Sequence, residues 1–276
     1  MSEAIIMQTT AENENTQTGG FPRGHNIIAV ASGKGGVGKT FFSISLANAL
    51  ARQGKNVLLF DGDLGLANVD VQLGLMPKRD LNDVIRGRLS LDKVVQRFEE
   101  GNFDIVAGRS GQASLSALPT QRLIMLRDQL IDLSHEYDAV VIDLGAGVDR
   151  TVRMMSASAT RTLLVTTDEP TSLTDAYAFI KLGSAAGMSK AVSIVINQAQ
   201  NALEGEKTYK TLLKACENFL RLSPPLAGMI RHDPKVKDCI RHQTPLLIRS
   251  PNCEAAGDIE KIARNVEETL KRMAVG

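Results

Sequence analysis

The sequence predicts an α/β fold: one domain on a mostly parallel sheet of about seven or eight strands, with helices on both faces. Three observations carry that expectation. Short apolar runs recur at Ile27–Ala31, Val57–Phe60, Phe103–Val106, Ala139–Ile142, Thr162–Thr166, Ser193–Ile196 and Leu226–Ile230. They are continuous runs rather than alternations, as strands covered on both faces require. Segments with helical spacing lie between them, so strand and helix alternate along the chain. The first run also passes through a glycine-rich loop into the first helical segment, and open sheets of this kind bind ligands at the carboxyl ends of their strands.

Composition sets the outer limits. The chain has 276 residues, 43% of them hydrophobic, enough for one large domain with a full core. Lys and Arg total 32 against 31 Asp and Glu, a formal net charge of +1, which gives no argument for bulk nucleic-acid binding. Cys216, Cys239 and Cys253 form no C-x-x-C pair, so no zinc or iron–sulfur site is expected within one chain, and the pattern suits a reducing cytoplasm. No apolar run approaches the roughly 20 residues that span a bilayer, and no basic-then-apolar leader opens the chain. A cytoplasmic protein is expected.

Taken in order, residues 1–25 are polar and read as a disordered tail, with the domain proper over 26–276. After the first strand, Gly33, Gly38, Lys39 and Thr40 fit G-x-x-x-x-G-K-[ST], the phosphate-binding loop of P-loop nucleotide-binding domains. Glycines let the backbone turn tightly and aim its N–H groups at phosphate, and the helix from Lys39 to about Arg52 adds the positive end of its dipole. The cradle is expected to run from Gly33 through Lys34, Gly35, Gly36, Val37, Gly38, Lys39 and Thr40 to Phe41. Lys39 can reach the terminal phosphates of ATP, and the Thr40 hydroxyl can ligate Mg²⁺.

The second strand ends in Asp61-Gly62-Asp63. Two carboxylates beside a triphosphate are unfavourable unless a cation or proton donor intervenes. One is therefore expected to face Mg²⁺ and one to orient the attacking water, against the plainer reading that both make turn hydrogen bonds. Asp143 follows the apolar run Ala139–Ile142, the position at which a carboxylate holds a Mg²⁺-bound water. Leu123, Leu126, Leu130 and Leu133 mark one amphipathic helix, and Leu212, Cys216, Phe219 and Leu220 another. Asn197 follows a strand, where its amide can pair with an adenine edge. In the last helix Ile259, Ile262, Val266, Leu270 and Met273 share one face; its mixed-charge polar face suits docking on the core better than lying on a membrane. Leu246–Arg249 reads as a short packing element.

The loop carries a second lysine, Lys34, in Gly33-Lys34-Gly35-Gly36-Val37-Gly38-Lys39-Thr40. This deviant form resembles the MinD/ParA group of P-loop ATPases. The resemblance implies that Lys34 crosses a homodimer interface to the partner's nucleotide, so that binding ATP and pairing are one event. Asp61-Gly62-Asp63-Leu64-Gly65-Leu66-Ala67-Asn68-Val69-Asp70 resembles the first switch of the MinD branch. By that match Asp63 activates water and Asp61 supports the Mg²⁺ side, giving Lys34, Lys39 and Asp63 the catalytic roles and Thr40, Asp61 and Asp143 the metal, partly through water. Leu144 and Gly145 depart from the family's second switch. Gly228-Met229-Ile230-Arg231-His232-Asp233 is similar to the loop that borders the base, with Arg231 in place of proline. This adds Asn197, Arg231 and Asp233 to the nucleotide contacts.

Leu73–Arg79, Leu81–Gly87 and Asp168–Tyr177 are similar to the flagellar-number regulators of the FlhG/FleN subgroup. The resemblance implies a slow switch-type ATPase regulating polar flagella or a similar polar organelle, with a flagellar regulator or polar landmark as protein partner. Its place would be the cytoplasm, concentrated at a cell pole or transiently at the membrane, and the helix over 171–187 would lie near the dimer interface. The family's C-terminal membrane-targeting helix would begin about where this sequence ends, so membrane attachment is left open. Two other classes compete. A DNA-surface-binding positioning ATPase is disfavoured by the charge balance, and a metabolic ligase by the lack of any sign of a substrate pocket.

Overall fold

Strand β1 (Ile27–Ser32) is wholly buried because each of its residues faces one of two cores. Ile28 and Val30 belong to one apolar cluster, Ile27, Ala29 and Ala31 to the other. The same division runs through β2 (Val57–Gly62), β4 (Phe103–Val106), β5 (Ala139–Ala146), β6 (Arg161–Thr166) and β7 (Val192–Ala199). This is why their sequences are apolar runs without a period-two pattern. β8 (Leu226–Arg231) is only partly covered. The computed structural model describes residues 24–65, 67–108, 118–185 and 192–275.

Among the described residues the strands form one eight-stranded sheet in the order β3-β4-β2-β5-β1-β6-β7-β8. Every pairing is parallel except that of β3 (Gln96–Phe98) with β4. The expected strands are all present, and the fold is the α/β domain the sequence predicts. β3 is new: three residues, mostly polar, returning beside β4 through a turn at Asn102 with φ 57°.

One face is covered by α1 (Lys39–Arg52), α8 (Pro234–Arg241), α9 (Leu246–Arg249) and α10 (Glu254–Val275). The other is covered by α3 (Leu81–Ile85), α4 (Thr120–Ser134), α5 (Arg150–Ala157), α6 (Pro170–Ala185) and α7 (Ala202–Leu220). The short α2 (Val69–Leu73) packs on the α1 side. Helix starts follow capping chemistry. Asp80 and Asp83 form a reciprocal capping box on α3, Asp149 caps α5, Asn201 caps α7, and Asp233 caps α8 ahead of Pro234.

The leucine stripe of α4 is buried as expected. On α7 only Leu212 and Cys216 are; Leu220 is partly buried against the same core, Phe219 is 77% exposed, and Arg221 ends the helix with φ 57°. α10 lays Ile259, Ile262 and Val266 into the core, with Leu270 packed against it, so this helix docks. Leu246 and Leu247 are buried in α9. The tail expected over 1–25 falls largely on residues 1–23, outside the described residues. Gly24 already belongs to the body, its N–H donating to Ser158 O at 3.1 Å. No described helix is long and apolar enough to cross a membrane.

Candidate functional site

The carboxyl ends of β1, β2 and β5 meet at the start of α1, and register puts Asp61 of β2 directly beside Asp143 of β5. Both carboxylates are fully buried. The loop between β1 and α1 turns on Gly36 and Gly38, at φ 82° and 91°, conformations that side chains rarely adopt. Gly38 is the N-cap of α1 and supplies no side-chain cap, and no acidic residue stands in the first turn. The helix thus presents its first N–H groups and its positive dipole end to whatever sits in the loop, an arrangement suited to phosphate.

Asp143 is the hub beneath the loop. Thr40 Oγ1 donates to its Oδ2 at 2.6 Å, Ser43 Oγ to its Oδ1 at 2.9 Å, and Lys39 Nζ stands 3.4 Å from Oδ1. Ser43 was not expected here. Its signal was the spacing: three residues after Thr40 on a helix is the same face.

Asp61 organises the chain beyond it. Its Oδ1 accepts from the N–H of Asp63, and its Oδ2 from the N–H groups of Asn68 and Val69, each at 3.2 Å. These are the turn hydrogen bonds of the plainer reading, made by Asp61. Burial, with the neighbouring Asp143 charge adding to it, pushes the Asp61 carboxyl up to about 8. Asp63, half-buried, accepts from the Gly65 N–H at 3.3 Å. Two buried carboxylates with hydroxyls beside them are a hard-oxygen donor set, which fits Mg²⁺ and leaves a cation as the natural means of offsetting their repulsion.

Leu144 and Gly145, the two departures from the family pattern, have physical reasons. Leu144 is fully buried in the α4–α7 core, where a hydroxyl would need a partner. A Cβ on Gly145 would stand 3.5 Å from Asp63 Oδ1, ordinary contact, and its φ is not positive. Gly145→Ala should then fold and gain about 0.5 kcal/mol through the unfolded state, a melting-temperature rise of about 1–2 °C by differential scanning fluorimetry. A fall of several degrees would mean that the strand end needs the glycine.

The remaining predicted contacts fall into two groups. Val37 and Phe41 point into the core, so only their backbones can serve the loop. Gly35 and Gly36 have open space where a Cβ would be. Asn197, at the end of β7, donates Nδ2 to Val37 O at 2.7 Å, and a Cβ on Gly38 would stand 2.3 Å from that nitrogen. Asn197 thus props the loop, with its Oδ1 as the group left for a base.

Arg231 and Asp233 are joints rather than open contacts. The Arg231 guanidinium grips Asp258 at 2.8 and 3.0 Å and Glu254 at 2.5 Å, all on α10. Burial works to raise the Asp233 carboxyl. The N–H of Lys235, the Cys253 thiol and the N–H groups of Ala255 and Glu254 outweigh it and hold the group below the usual range. The two side chains expected to border a base tie β8 and α8 to the start of α10.

Lys34 is the last of the predicted residues, and the structure gives it partners that the sequence did not suggest. Its ammonium donates to Glu169 at 2.6 Å and to the Thr171 hydroxyl at 2.9 Å, both at the start of α6.

Known proteins match this arrangement. Residues 28–246 match the CobQ/CobB/MinD/ParA nucleotide binding domain family. The chain is 40% identical over 242 residues to the antiactivator FleN of Pseudomonas aeruginosa, spanning 87% of this chain and 86% of that protein. It is 31% identical over 241 residues to the flagellum site-determining protein YlxH of Helicobacter pylori, spanning 86% and 80%. Among solved structures, the cell division ATPase MinD of Pyrococcus furiosus superposes with a TM-score of 0.72 at 26% identity, over 89% of this chain and 99% of that one.

Proposed function

The chain belongs to the CobQ/CobB/MinD/ParA family of nucleotide-binding domains, and from that premise we propose that it is a MinD-like switch ATPase that pairs with a second copy on binding ATP and regulates polar flagella or a similar polar organelle. The observation that carries the reading is the pairing of a complete phosphate loop with an extra loop lysine and with Asp61 and Asp143 side by side at adjacent strand ends, Asp63 following two residues on.

Each residue then has a task. The N–H groups from Gly33 to Thr40 receive phosphate oxygens. Lys39 turns from Asp143 toward the terminal phosphates. Thr40 and Asp143, with Asp61 beside Asp143, would hold a Mg²⁺ ion, which would supply neutralisation of the phosphate charge. Asp63 orients the water that attacks the γ-phosphate. Lys34 reaches the nucleotide of the second copy, so the γ-phosphate joins two chains until it is cleaved, as in other γ-phosphate switches. The protein partner on this reading is a flagellar regulator or polar landmark, met in the cytoplasm at a cell pole.

Light scattering tests the proposal. With ATP and Mg²⁺ the chain is expected to double in mass, and with ADP to remain single. Lys34→Ala should bind fluorescent ATP within about threefold of the parent chain yet lose at least 30-fold in pairing, as expected when a charge-assisted contact is removed from each of two sites. A Lys34→Ala chain that still pairs on ATP removes the role given to that lysine.

A further inference from the structure

Lys34 is held by its own chain. The Lys34 side chain is 37% exposed and that of its partner Glu169 61%, and the 2.6 Å contact spans 135 residues of sequence. Thr171 takes a second of the three ammonium protons. The end of α6 that holds it is firmly seated. The Ser172 hydroxyl bonds that of Thr166 at 2.8 Å and accepts from the Thr167 N–H at 3.1 Å, which fastens the helix start to β6. The loop entrance also lies directly on α6: a Cβ on Gly33 would stand 2.3 Å from the Asp175 carbonyl carbon. The backbone that carries Glu169 is thereby fixed beside β6. Glu169 does not depend on the lysine, since a carboxylate at the N-terminal end of a 16-residue helix is favoured in any case.

We infer that Glu169 and Thr171 are positioning residues that hold Lys34 against its own chain in the monomer and must release it before it can reach the phosphate of a second copy. Their grip then sets how tightly two ATP-bound chains pair. This rests on the reading in which Lys34 acts across the dimer. It adds a competing contact within the monomer, and it makes α6 the element that changes partners when the dimer forms. The γ-phosphate and Glu169 are rivals for one cation, so a nucleotide lacking the γ-phosphate leaves the lysine where it is.

The magnitude comes from the kind of contact. A half-exposed ion pair is worth about a two- to fivefold preference, and a twofold dimer must open two of them. Glu169→Gln is expected to tighten the dimer dissociation constant by about four- to twenty-five-fold, measured by analytical ultracentrifugation in saturating non-hydrolysable ATP and Mg²⁺. Thr171→Ala should shift it in the same direction by less. Glu169→Asp, which keeps the charge, should return it toward the parent value. A parent chain that stays monomeric overturns the dimer reading and this inference with it. A parent chain that pairs, with Glu169→Gln pairing no more tightly or more weakly, overturns this inference alone.

Discussion

Lys39→Ala is expected to lower ATP affinity at least a hundredfold, measured by titration with a fluorescent ATP analogue. The ammonium is the one loop cation that faces the interior, 9% exposed beside an Asp143 that is 1% exposed. Charge-assisted contacts to phosphate are about twice as strong as neutral ones, and a loss of about 3 kcal/mol corresponds to that factor. The same substitution should cost stability. Removing one member of a buried pair costs about 3–5 kcal/mol when the other is left alone. Here Asp143 keeps the hydroxyls of Thr40 and Ser43, so a smaller loss of about 2 kcal/mol is expected, a melting-temperature drop of about 4–8 °C. The double variant Lys39→Ala/Asp143→Asn separates the two effects. It should regain part of the lost stability, since no buried charge is left unpaired, and recover no ATP affinity. Affinity within fivefold of the parent chain in Lys39→Ala would show that the lysine serves the Asp143 hub and not phosphate.

The features legible in the sequence were those that depend on neighbours in sequence. The bounds of α1 come from Gly38, whose positive φ ends the loop, and from the apolar periodicity beyond it. The parallel strands were legible because burial on both faces leaves an unbroken apolar run. β3 was not, since Gln96-Arg97-Phe98 is too short and polar to show a period, and only its partner β4 makes it a strand. Phe219 failed for a related reason. A helical stripe shows which face is apolar but not which of its members finds a partner. The departure at Leu144 was legible, its packing in the core was not.

The site divides along the same line. Lys39, Thr40, Asp61 and Asp143 meet as expected because strand ends and a loop bring them together by the topology itself. Long-range partners were invisible. Nothing near Lys34 in sequence announces Glu169, and nothing near Arg231 announces Asp258 and Glu254. The resemblance of residues 228–233 to a base-bordering loop supplied positions, but the local replacement of proline by Arg231 gave that loop a guanidinium, and a guanidinium finds the carboxylates in reach.

Asp63→Ala is expected to slow ATP hydrolysis by at least a hundredfold while leaving ATP affinity within about threefold, the range that a lost general base or water-orienting group produces. The choice between the two carboxylates rests on their surroundings. Asp61 is fully buried and committed to three backbone N–H groups, so it is fixed in place, which suits the cation role proposed for it. Asp63 stands two residues further along the loop, half-buried, against Gly145 of the second switch, where a small residue leaves space beside its carboxylate. Phosphate release under single-turnover conditions measures the chemistry, and light scattering on the same samples measures the dimer. The variant should form a dimer on ATP that persists for many parent turnover times, because the γ-phosphate that joins the chains is no longer removed. The plainer alternative is that Asp63 only closes the turn through Gly65. It predicts the opposite pattern, with hydrolysis within fivefold of the parent chain and a melting temperature lowered by the loss of the turn. Asp61→Asn is the contrasting variant. It leaves three backbone donors with a weaker acceptor and removes a charge from the cation site, so ATP affinity in Mg²⁺ should fall along with turnover, where Asp63→Ala spares it.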